Sequence, residues 1–181
     1  GSVLLPAVAV GRAQALLLVL QRLKAAGEIP QDLPVFLDSP MAIHTTQLFE
    51  HHMDEHRLDP QQVHALTHSA TMINTPDESK ALARRHGPMV ILAASGMATG
   101  GRVLHHLAHL APDARHHIVF AGFQVGGSRG AHLVAGAPEV KIHGAMVPVR
   151  AQVSQLEGFS GHADADGLVA WLRQLPAAPR Q

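Results

Sequence analysis

Short apolar runs, each closing on a turn and followed by a helical pattern, constrain this chain more than any other feature. Pro34-Val-Phe-Leu37 ends at Asp38-Ser39-Pro40. Met89-Val-Ile-Leu-Ala93 leads into Ser95-Gly-Met-Ala-Thr-Gly-Gly101, and His117-Ile-Val-Phe-Ala121 into Gly122-Phe-Gln-Val-Gly-Gly127. Apolar runs without alternation read as strands buried on both faces. Ala70 to Asn74 reads as another strand, and Val147 to Leu156 alternates as one strand. Between them lie helical stretches. Gly11 to Ala26 carries Leu16, Leu17, Leu20 and Leu23 at helical spacing and stops at Gly27. Met41 to Arg57 follows, with Pro60 as its breaker. Thr75-Pro76-Asp77-Glu78 opens the next helix as a capping box with Pro in the first turn. Arg102 to Leu110, about Ser128 to Val134, and a last stretch through Leu175 complete the set. Strands alternating with helices imply an α/β fold: a mostly parallel sheet with helices on both faces, three layers in all.

Composition narrows the function classes. The net charge is +0 with histidine neutral, so no global basic field draws in nucleic acid. Aromatics make up 3%, too few for a base-stacking platform. The chain has no cysteine, which excludes disulfides and thiolate metal sites and suits the cytoplasm. No apolar run is long enough to cross a membrane. Histidine stands out, at 15 of 181 residues, scattered over helices and loops.

Two glycine-rich turns are candidate anion cradles. Ser95, Gly96, Thr99, Gly100, Gly101 and Arg102 follow a strand and open a helix, where unpaired N–H groups and the helix dipole favour phosphate. Ser128 and Arg129 repeat the arrangement after the next strand. If the two strands were adjacent, both turns would share one sheet edge. The same pattern also describes ordinary tight turns.

Other candidates have plainer readings. His52-x-Asp54-x-His56 has metal-ligand spacing but sits in an expected helix, where a solvated face explains it. His105 and His109 share a helix face without a third ligand, so the sequence offers no metal site. Asp38 is either a catalytic carboxylate or, with Ser39, the cap of the helix beginning near Pro40. His162 lies in Gly158-Phe-Ser-Gly-His-Ala-Asp164, a flexible turn before a helix, with Ser160, Asp164 and Asp166 nearby. Its imidazole suits general acid or base work. The alternative is a helix-start histidine, with Ser160 or Asp164 as the cap.

Taken in order, Ala7-Val-Ala-Val-Gly-Arg-Ala-Gln14, Pro34-Val-Phe-Leu-Asp-Ser-Pro-Met-Ala42, Ala94-Ser-Gly-Met-Ala-Thr-Gly-Gly-Arg102, Phe120-Ala-Gly-Phe-Gln124 and Gly158-Phe-Ser-Gly-His-Ala-Asp164 resemble the β-CASP branch of the metallo-β-lactamase-fold nucleases. The short bacterial RNA-processing members resemble it most. The resemblance implies residues 1–157 as a β-CASP domain and residues 158–181 as the first returning segment of a metallo-β-lactamase domain. It implies a parent that hydrolyses RNA phosphodiester bonds with two zinc ions, their ligands lying outside this stretch. His162 then matches the histidine that protonates the leaving oxygen, and the two glycine-rich turns hold RNA phosphates. Gly127-Ser128-Arg129 departs from the Gly-Thr-x-Gly pattern of that family. The partners expected are RNA and the metallo-β-lactamase domain, with a homodimer left open and no membrane. The isolated stretch is expected to be inactive. The rival readings are a free-standing nucleotide-binding α/β domain and a catalytically inactive scaffold.

Overall fold

The computed structural model describes residues 1–159 and 161–177. Six strands form one all-parallel sheet: β1 (Val3–Pro6), β2 (Val35–Asp38), β3 (Thr71–Met72), β4 (Val90–Ala93), β5 (His117–Phe120) and β8 (Gln152–Gln155), in the order β3-β2-β4-β1-β5-β8. Register is in phase across the centre, with Leu4 and Leu5 beside Ile91 and Leu92, and Phe36 and Leu37 on the other side of β4.

Successive side chains on a strand point to opposite faces, so these short runs feed two cores. Leu5, Leu37 and Leu92 meet Leu16 and Leu17 of α1 (Arg12–Ala25), Ile43 of α2 (Pro40–His51) and Leu66 of α3 (Pro60–Thr67). Leu4, Ile91 and Ile118 meet Leu82 of α4 (Pro76–Ala83), Leu107 of α5 (Val103–Leu110) and Leu133 of α6 (Arg129–Val134). Leu4, Leu17, Leu92 and Leu107 are fully buried, and truncating any of them costs about 2–5 kcal/mol. The expected three layers are present.

Local chemistry sets the helix ends. Thr75 and Glu78 form the expected capping box on α4, and Pro76 is the first residue of that helix. Pro60 breaks nothing: it starts α3, capped by Asp59 and Gln62. The helix expected to reach Arg57 stops at His51, followed by a 3-10 turn at Met53–Glu55. The Phe49 carbonyl accepts a hydrogen bond from Nε2 of His56 at 2.9 Å, which folds the chain back.

Two strand expectations are corrected. β1 has no clear sequence signal, because its four residues end in a proline, yet it lies inside the sheet between β4 and β5. The single strand expected over Val147–Leu156 is two. Its start belongs to β7 (Ala145–Pro148), antiparallel to β6 (Glu139–Ile142), and its end is β8. The β6–β7 turn, His143-Gly144, has φ of 48° and 85°, the positive pair that tight hairpins require. Helix α7 (Ala165–Arg173) closes the described chain, and no described helix is long and apolar enough to cross a membrane.

Candidate functional site

All six strands end at one edge of the sheet. β1 hands over to α1 on one face, while its neighbour β4 hands over to α5 on the other. Loops that diverge in this way open a crevice between neighbouring strand ends. That crevice has a volume of about 590 Å³ and takes its walls from Val8, Gly96, Met97, Gln124, Phe159 and His162.

His162 and Arg12 both line it. Arg12 follows Gly11, whose φ of 77° lets β1 turn sharply into α1. Its guanidinium lies 5.7 Å from the centre of the Phe159 ring, within cation–π range. Arg12 makes no ion pair or side-chain hydrogen bond among the described residues. The sequence carries one sign of it, a basic residue directly after the glycine of a strand-to-helix turn, as at Gly101-Arg102. Asp164 caps α7, accepting a hydrogen bond from the Gly167 amide at 2.8 Å, so His162 is not needed as the cap. Ser160, the other cap considered, lies outside the described residues.

The first glycine-rich turn is closed upon itself. Ser95 Oγ accepts hydrogen bonds from the amides of Thr99 (3.0 Å) and Gly100 (3.4 Å). The opening amides of α5 are also spent: Val103 on Ala94, Leu104 on Gly101 and His105 on Arg102. Gly96, Met97 and Gly101 keep amides without a partner among the described residues. Gly101 is obligatory, because a Cβ there would meet the Ala94 carbonyl oxygen at 2.6 Å.

The turns share an edge, but β4 and β5 are not adjacent, since β1 runs between them. The phosphate candidates consequently face three surfaces. Gly96 faces the crevice with His162. Thr99, Ser128 and Arg129 line a separate groove. Gly101 and Arg102 line a third, between α4 and α5. Ser128 caps α6 with its hydroxyl on the Ala131 amide at 3.1 Å. Arg129 donates to the carbonyls of Lys141 and Ala98, pinning α6 to the first turn. Gln124 adds a second tie, from Nε2 to the Gly96 carbonyl at 3.2 Å.

Asp38 is neither a crevice carboxylate nor a cap. Ser39 caps α2, accepting from the Ala42 amide at 3.3 Å. Asp38 is fully buried and takes three donors: Ser79 Oγ at 2.5 Å, His106 Nε2 at 2.6 Å and Arg102 Nη1 at 2.7 Å. Burial pushes its pKa up, but His106, Ser79 and Arg102 outweigh burial and leave the carboxyl below its usual value. Because an ionised carboxylate only accepts, His106 must donate from Nε2. Its Nδ1 is buried without a hydrogen-bond partner among the described residues. Arg102 also donates to the carbonyls of Ile73 and Asn74, so most of its guanidinium is committed inside the fold. The sequence gives no hint of this cluster, whose members are 41 to 68 residues from Asp38.

The implied zinc does not fit the described residues, which bring together no group of three or more histidines, aspartates or glutamates able to hold a metal. His52 lies past the end of α2 and His56 is turned to Phe49, so the expected shared helix face does not form. His105 and His109 are exposed on α5, as expected for ordinary surface positions.

Comparison with known proteins agrees with this architecture. Residues 13–133 match the model of the Beta-Casp domain, and residues 146–179 match that of the Zn-dependent metallo-hydrolase RNA specificity domain. A ribonuclease of Thermus thermophilus is 42% identical over 97% of this chain, which spans 42% of that protein. The transcription termination factor FttA of Methanocaldococcus jannaschii is 34% identical over 100% of the chain, which spans 30% of it. An RNase J-like protein of the same archaeon is 31% identical over 97% of the chain and 41% of its own length. The chain thus spans less than half of each of these relatives. A doubly wound sheet with a histidine at its switch-point crevice, matched over two thirds of its length by one family model, belongs to the Beta-Casp family of metallo-β-lactamase-fold proteins.

Proposed function

We propose that this chain is the RNA-holding part of a zinc-dependent ribonuclease that hydrolyses phosphodiester bonds in RNA processing. Residues 1–157 are its β-CASP domain and residues 158–181 begin the return to its metallo-β-lactamase domain. One observation carries the reading: His162, Arg12 and the amides of Gly96 and Met97, which have no partner among the described residues, border one crevice. A cation and amide donors suit a phosphate, and an imidazole beside them suits proton transfer to an oxygen of that phosphate.

As a water oxygen bonds to phosphorus, its proton passing to solvent, the P–O bond to the leaving 3′-oxygen breaks and that oxygen must gain a proton. His162 supplies it, and Arg12 holds the charge of the phosphate near by. Ser128, Arg129 and Arg102 shape the cradle from behind, by fixing α6 and the first turn. Ser95, Thr99, Gly100 and Gly101 give that turn its form, and Gly96 presents its amide. Zinc would supply Lewis-acid chemistry, from ligands that we assign to the length of the relatives this chain does not span.

The crevice rim is apolar and uncovered. Val8, Val10, Phe123 and Val125 are exposed beside it, and Leu168, Trp171 and Leu172 are exposed on α7, which buries none of its residues. Uncovered patches of this kind mark interfaces. We assign this one to the metallo-β-lactamase domain, with a second copy of the chain as the competing cover. The lack of cysteine suits work in the cytoplasm.

Calorimetry on this chain with short single-stranded RNA and with mononucleotides tests the reading. RNA affinity that Arg12→Ala weakens supports it. Micromolar mononucleotide affinity without preference for RNA supports a nucleotide-binding domain instead.

A further inference from the structure

A groove of about 760 Å³ runs between α4 and α5, on the far side of the first glycine-rich turn from the crevice. Lys80 and Arg84 stand on its α4 side, His105 and His109 on its α5 side, and His143 reaches in from the β6–β7 turn. No acidic residue lines it. Of the nearby carboxylates, Asp77 pairs with Lys80 at 3.1 Å and so offsets that groove cation, and Glu78 accepts from the amides of Asn74 and Thr75. Arg84 makes no ion pair among the described residues.

The groove also has an apolar floor, from Ala83 and Ala108. Beside it the rings of His105 and His143 stack with centres 4.7 Å apart and planes inclined by 27°. Both residues are exposed. His143 holds this position with a φ of 48°, a left-handed backbone that glycine or asparagine adopts more readily. A flat paired ring surface, a small apolar floor and the unpaired guanidinium of Arg84 match a nucleotide: a base to stack and a phosphate to neutralise.

We propose that the α4–α5 groove is a second binding site for single-stranded RNA, its base surface formed by His105 and His143 and its phosphate contact by Arg84. The inference rests on the chain being part of an RNA-binding enzyme. Gly101 and Arg102 line the groove while Gly96 of the same glycine-rich turn lines the crevice, so the two sites share that turn as a common border.

The test is fluorescence anisotropy of a labelled single-stranded RNA oligonucleotide with this chain and three variants. His143→Gly relieves the left-handed backbone, so it keeps the hairpin folded while removing half of the ring pair. It should weaken binding by roughly five- to tenfold, the lower end of what loss of one stacking contact costs. Arg84→Ala should lower the slope of log affinity against log salt by about 0.7, the share of one phosphate contact in a single strand. Arg12→Ala reports on the crevice separately. If it weakens RNA while His143→Gly and Arg84→Ala bind like wild type, the groove is not an RNA site and the crevice reading stands. If the wild-type chain shows no RNA affinity at low salt, both readings fail. Equal affinity for inorganic polyphosphate, unchanged in His143→Gly, overturns the groove as a base-recognising site.

Discussion

Nε2 of His106 lies 2.6 Å from Oδ2 of Asp38, with both side chains closed off from solvent. Their strands and helices are far apart in sequence, and the pair locks the end of β2 to the first turn of α5. Arg102 and Ser79 complete the cluster, so the glycine-rich turn directly before Arg102 is anchored from below.

Removing the carboxylate should therefore destabilise the chain sharply. Asp38→Asn leaves the partly buried Arg102 guanidinium short of its counter-charge and a fully buried site without its carboxylate, and should cost about 3 kcal/mol in urea unfolding, the lower end of the penalty for breaking a buried pair. His106→Ala should cost less, and the double variant should show strong coupling. A loss under 1 kcal/mol would mean that the pair holds little together.

The same carboxylate sets an acid limit. Its folded pKa lies below the ordinary value of 3.8. Between the two values the unfolded chain binds more protons, so stability rises with pH there. The contribution of Asp38 is thus complete above about pH 4 and is lost as pH falls through its folded pKa. Thermal unfolding from pH 7 to pH 2 should show this loss in the wild type and a flatter acid limb in Asp38→Asn. His116, pushed below the usual histidine value mainly by burial, weakens the fold earlier in the same direction.

Gly101→Ala should fail for a local reason. The new methyl meets the Ala94 carbonyl, and the position has a φ of 77°. Loss of about 1–3 kcal/mol is expected, with altered amide resonances at Gly96 and Met97 by NMR. Unchanged stability would mean the turn adapts freely.

Ser128→Ala separates two roles for one hydroxyl. As a helix cap it should cost about 1 kcal/mol and leave RNA affinity within twofold of wild type. A tenfold loss of affinity without loss of stability would restore Ser128 as a direct phosphate ligand.

Much of the fold was legible because its strands are buried on both faces. Runs such as Met89–Ala93 carry no alternation and end in glycine-rich turns, which fixes both their type and their polarity. β1 escaped because Val3–Pro6 is short and ends in a residue that argues against a strand interior. The β6–β7 hairpin escaped because Val147 to Leu156 alternates straight through a change of sheet. At the site, His162 and Asp164 were readable from a local turn motif. The partners of Asp38 were not, since hydrogen bonds across 41 to 68 residues leave no local pattern. Arg102 and Arg129 resembled phosphate ligands in sequence, yet in space their donors reach carbonyls of the fold itself.

The central claim is that His162 gives a proton to the leaving oxygen and does not hold a metal. The direct measurement is RNA cleavage by the full-length parent carrying His162→Ala, with zinc content determined on the same sample. We expect cleavage to fall by about two to four orders of magnitude while bound zinc stays at the wild-type level. Loss of zinc would make His162 a ligand, and undiminished cleavage would remove it from the chemistry.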